Sequence, residues 1–123
     1  MKQLAIRIPA LLAGCASYPT PQDSATADYG SYPSNYEYIS KTYFENLLKD
    51  PFSAQYRGIT APKKFWLGDR INGTRYGYLT CVTVNAKNSY GAYTGFTTEG
   101  LLIRNGVVIQ YLEKGVWYGR KMC

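Results

Sequence analysis

Apolar and polar positions change period close to residue 50 of this 123-residue chain. Tyr36, Ile39, Tyr43, Phe44, Leu47 and Leu48 recur at steps of three and four, which lays them on one face of a helix. Lys41, Glu45 and Lys49 fall on the other face, spaced for i,i+4 ion pairs. Ser34 and Glu37 have capping-box spacing and predict the helix start. Asp50-Pro51 predicts its end, because a residue before proline is driven out of the α region. After that the period becomes two. Residues 55–59, 64–71 and 74–86 read as strands, the last two flanking a hairpin signal at Asn72-Gly73. The long strand alternates Tyr76, Tyr78, Thr80, Val82 and Val84 against Leu79, Cys81, Thr83 and Asn85. Both sets contain apolar residues, so this strand is expected at the centre of the sheet. Asn105-Gly106 predicts a second hairpin, with Arg104 opposite Val107 and Leu102 opposite Ile109. Residues 115–122 are expected to add a last edge. The predicted fold is α+β: one N-terminal helix packed on a four- to five-stranded antiparallel sheet, over residues 35–123.

Upstream, residues 16–34 are rich in Pro, Ser, Thr, Ala and Asp and poor in aliphatics. Such a composition buries too little apolar surface to order itself, so a flexible tether is expected. Within it, Tyr18, Tyr29 and Tyr32 leave open a binding segment.

Charge sharpens this division. The chain carries a net charge of +6 and no His. Ten Lys and Arg against three Asp and Glu fall in residues 51–123, giving that part +7. A basic surface attracts phosphates and other anions, or is simply solvated. The lack of His removes the commonest general base and metal ligand. No Cys/Asp/Glu cluster has metal-ligand spacing, and no glycine-rich stretch leads into a helix as a phosphate loop must. Asp69 and Glu99 read as isolated, solvated acids rather than a catalytic pair. Neither an enzyme nor a bound cofactor is expected.

The chain begins with basic residues Lys2 and Arg7 and a short apolar run, ending in Leu12-Ala13-Gly14-Cys15. This resembles the lipobox of bacterial lipoproteins. The resemblance implies a signal peptide over residues 1–14, cleavage before Cys15, and acyl chains on the Cys15 sulfur that hold the protein to a membrane. Residues 15–34 would then be the lipidated cysteine and its tether. Ala16, where an Asp resembles an inner-membrane retention signal, implies the outer membrane and a periplasm-facing domain. The chain has three cysteines, and with Cys15 lipidated two remain. In an oxidising compartment Cys81 and Cys123 are expected to form a disulfide, the alternative being two buried thiols.

The stretch 84–96, Val-Asn-Ala-Lys-Asn-Ser-Tyr-Gly-Ala-Tyr-Thr-Gly-Phe, is a long polar turn between strands. With Asp50-Pro51-x-Ser53-Ala54 it resembles a pattern in small bacterial and phage-associated proteins, a resemblance that carries no catalytic role. As a binding loop it would use Lys87 for an anion, Tyr90 and Tyr93 to stack a sugar or peptide, and Asn85 and Asn88 to orient the ligand. As a structural turn, its asparagines would satisfy nearby backbone groups. The sequence thus points to a lipid-anchored envelope protein with a binding or structural module. Its expected partners are the membrane through Cys15, and an envelope protein or an anionic glycan or lipid. Nucleic acid is not expected. Two alternatives share the same address: a lipoprotein subunit of an envelope secretion or conjugation complex, and an inhibitor of a periplasmic hydrolase. Against basic lysozymes the inhibitor reading is disfavoured by like charge.

Overall fold

The computed structural model describes residues 19–123; the expected signal peptide and Cys15 lie outside the described residues. Five antiparallel strands form the main sheet: β1 (Gln55–Ile59), β2 (Lys63–Asp69), β3 (Gly73–Asn85), β4 (Thr97–Arg104) and β5 (Val107–Leu112). The architecture is α+β, as the change of period predicts. Strand β3 is central. One edge pairs with β4, while the other takes β1 and β2 end to end. Thirteen residues of β3 suffice for both partners because β1 and β2 are short and are separated by residues 60–62 around Pro62.

Among the described residues two α-helices precede the sheet where one is expected: α1 (Pro21–Thr26) and α2 (Tyr36–Leu47). Helix α2 starts one residue later than predicted. Its N-cap is Asn35, no side chain caps it, and Ser34 instead closes a turn through its N–H to Tyr32 O. It ends at Leu47, before the Asp50-Pro51 stop, because Leu48 is already extended. Phe44 is buried against Val82, Val84, Leu101 and Ile103, with Ile39, Tyr43 and Tyr111 around it.

The other face of the sheet holds Leu67, Leu79, Leu102 and Leu112. It is covered by a small ribbon, β6 (Val116–Trp117) paired with β7 (Arg120–Lys121), that forms its own two-stranded sheet. The last segment is thus a lid over the sheet, not the additional edge the sequence suggests. Trp117, Met122 and Cys123 pack beneath it, and Cys123 is disulfide-bonded to Cys81 of β3 with their Cα atoms 5.7 Å apart.

The flexible tether expected through residue 34 does not describe residues 19–34, which run as a strap over β3. A capping box between Thr20 and Asp23 starts α1. Tyr29 is buried, edge-on to Tyr76 at 5.3 Å, and its hydroxyl donates to Ser24 O. Tyr32 packs edge-on to Tyr78. Arg104 pairs with Asp28 at 3.3 Å, and Ser31 N–H donates to Asn105 Oδ1. Scarce aliphatics are offset here by tyrosines, which bury large rings while keeping a polar tip satisfied.

Both hairpins depart from the predicted register. Asp69 pairs with Gly73, so the first loop is residues 70–72. The Asp69 carboxylate accepts the N–H groups of Ile71 and Asn72 and so sets a longer turn. The Asn105-Gly106 turn is as predicted, with φ of 50° and 80°. A bulge between Leu102 and Ile103 then places Leu102 opposite Gln110, not Ile109.

Candidate functional site

The loop after β3 is built from its own side chains. Asn85, buried at the end of β3, accepts Gly95 N–H at Oδ1 (2.9 Å) and donates weakly to Gln55. Asn88 Oδ1 accepts from Tyr90 N–H (2.9 Å) and Ala92 N–H (3.1 Å). Ser53 ties the loop to the turn after α2. Its hydroxyl accepts Lys87 N–H at 2.8 Å, and its carbonyl accepts the Tyr93 hydroxyl at 3.0 Å. The two sequence stretches singled out above therefore meet at Ser53. Of the five candidate ligand residues, the fold brings Lys87 and Tyr93 together, with the ammonium 5.4 Å from the ring centroid. The carbonyl oxygens of Asn85 and Asn88 are used by backbone, and Tyr90 stands 93% exposed at the tip.

The acids are not solvated as expected. Glu99 is only 5% exposed inside β4. Its Oε1 accepts the Tyr111 hydroxyl (2.6 Å) and Lys114 N–H (2.9 Å), and its Oε2 accepts the Thr97 hydroxyl. Burial, and then the bond to Glu99, push the Tyr111 hydroxyl far above the usual tyrosine range. Asp69 is held below the usual carboxylate range, chiefly by the Asn72 N–H it accepts, with Arg75 3.5 Å away. Each acid is held by its own donors, Glu99 by Thr97, Tyr111 and Lys114 and Asp69 by Ile71 and Asn72. Among the described residues, no three His, Cys, Asp or Glu side chains converge on a metal position.

A second concavity was not anticipated. It lies along the outer edge of β2, between that strand and the β6–β7 ribbon, with a volume of about 500 Å³. Aromatic walls come from Phe65, Trp66, Trp117 and Tyr118, with Tyr29 on one side. Trp117 is fixed by its indole N–H, which donates to Gly68 O at 3.1 Å. Tyr118 sits in the ribbon's two-residue turn with φ 48°, its ring edge-on to Trp117 at 4.9 Å and 71% exposed. Lys64 and Arg120 line the same cleft, which contains no carboxylate. Among the described residues neither cation is in an ion pair; the Lys64 ammonium lies 5.4 Å from the Tyr29 ring centroid.

The residues of this cleft come from 24–29, 64–68 and 117–122. No local motif joins them. One signal was present: both tryptophans of the chain, and a tyrosine in a tight turn before glycine, where Asn or Gly is the ordinary choice. Fold and clefts define a small α+β sheet protein with a disulfide-tied lid. In comparison with known proteins, the chain matches no family model, no curated protein and no solved structure.

Proposed function

We propose that this chain is a lipid-anchored binding module of the bacterial cell envelope, held at the outer membrane by acyl chains on Cys15 and facing the periplasm. One observation carries the reading. Cys81 and Cys123 are joined, and the third cysteine of the sequence is Cys15 of Leu12-Ala13-Gly14-Cys15, which takes no part in that bond. A disulfide suits an oxidising, extracytoplasmic compartment, and the lipobox resemblance gives the remaining sulfur a use. A binding role is favoured because the cleft beside β2 is lined by aromatic rings and two cations, with no carboxylate in its lining. The test is metabolic labelling with a radiolabelled fatty acid followed by membrane fractionation. The wild type should carry label and sediment with outer membranes, and Cys15→Ser should lose both. An unlabelled wild type, or label persisting in Cys15→Ser, removes the anchor.

A further inference from the structure

We propose that the cleft between β2 and the β6–β7 ribbon binds a saccharide ring that carries a carboxylate or a phosphate. The first argument is shape. A cavity of about 500 Å³ falls within the range of small-ligand sites and suits one or two sugar rings. Its walls are aromatic, and aromatic faces suit the C–H faces of a pyranose, while the open side leaves hydroxyls in water. The second is charge. Lys64 and Arg120 line the cleft and, among the described residues, neither is ion-paired with a carboxylate, so the cleft attracts an anion.

The third argument is Tyr118. A bulky residue at φ 48° is strained, and the turn would be easier with Asn or Gly. The strain places a largely exposed phenol at the rim of the cleft, against Trp117. Addition of a peptide strand to the β2 edge is the rival occupant. It is disfavoured because the Gly68 carbonyl at that edge already accepts the Trp117 indole.

The ring-plus-anion chemistry rests on the cleft; only its source rests on the envelope reading. Two sources share it, a carboxylate-bearing cell-wall glycan and a phosphorylated sugar of a lipid headgroup. Both tryptophans line the cleft, so intrinsic fluorescence reports on it directly. The full chain with Cys15→Ser should be titrated with N-acetylmuramic acid, glucosamine 6-phosphate and N-acetylglucosamine. A saturable change is expected with at least one anionic sugar, at least about tenfold tighter than with the neutral one. Response to the carboxylate alone assigns the cell-wall source, and response to the phosphate alone assigns the headgroup. Lys64→Gln and Arg120→Gln should each reduce the preference for the anion. Tyr118→Asn should weaken binding about tenfold while leaving the melting temperature unchanged or higher, which a merely structural tyrosine would not do. The proposal is overturned by no saturable response to either anionic sugar up to about 10 mM, by equal binding of the neutral sugar, or by response to an acidic peptide alone. Sugar binding without fatty-acid labelling would remove the anchor and keep the cleft; labelling without sugar binding would do the reverse.

Discussion

Single side chains decide more here than their burial alone suggests. Glu99 is a buried carboxylate with three donors, and truncating it orphans the Tyr111 hydroxyl and Lys114 N–H together. A fully buried orphan costs roughly 1–3 kcal/mol; Tyr111 is half-buried and Lys114 exposed, so Glu99→Ala should lower the urea-unfolding free energy by about 1–2 kcal/mol. Ser40 is the opposite case. Its hydroxyl is buried in α2 and has no hydrogen-bond partner among the described residues. Ser40→Ala removes that unpaired group and improves helix propensity, and should stabilise by about 1 kcal/mol in the same assay. Titration follows from the same residues. The hydroxyl of Tyr111 is raised, so the folded state holds its proton more tightly than the unfolded chain. That contribution is complete below the ordinary tyrosine value near 10 and is lost as pH rises above it. Asp69 is lowered, so its contribution is present above the ordinary value near 4 and is lost as pH falls. Urea midpoints measured across pH should decline at both ends. Tyr111→Phe should flatten the alkaline decline, and Asp69→Asn the acid one.

Among the elements, β3 and β4 are the pair the rest is hung on. Gly77 shows how closely they approach, since a Cβ there would lie 2.7 Å from the Ile103 carbonyl oxygen. That neighbour is backbone and cannot swing aside. Gly77→Ala should cost about 1–3 kcal/mol, read as a lower thermal midpoint with unchanged sheet content. The elements also show what the sequence makes legible. Strand β1 falls where the pattern places it, and β5 begins directly after the Asn105-Gly106 turn that predicts the hairpin, because both boundaries are marked locally. Helix α1 escapes the pattern. Six residues are too few to display a period, although Thr20 and Asp23 carried a capping box that could have been read. The box at Ser34 and Glu37 has the same spacing and is not made. Spacing permits a cap; the approach of the preceding strap decides it. The register of the second hairpin fails at a bulge between two leucine-rich faces, where alternation looks the same before and after the shift.

For the whole molecule the disulfide is the main long-range tie. It joins residues 42 apart, and the chain-entropy model gives such a loop about 4 kcal/mol. Cys123→Ala should lose a comparable amount in urea and release the ribbon from the Leu67, Leu79, Leu102 and Leu112 face. The emission of Trp117 should then shift to the red before global unfolding. Gly115 lies in the same closure. With φ 70° and a Cβ position 2.7 Å from the Cys123 Cβ, only glycine fits the chain's return. Beyond the two tryptophans and Tyr118 before glycine, the cleft leaves no contiguous mark in the sequence, because it is assembled from three separate segments. The polar loop, in contrast, is contiguous in sequence, and its Asn85 and Asn88 side-chain carbonyls accept the loop's own backbone N–H groups.

The strap over β3 also fixes a length. If Cys15 is anchored as proposed, the five residues from it to Thr20, where the described packing begins, could reach no more than about 18 Å. The domain would then graze the lipid surface rather than range through the periplasm. Under that proposal its accessible targets would be those within a few nanometres of the membrane plane, met at a local concentration set by that reach.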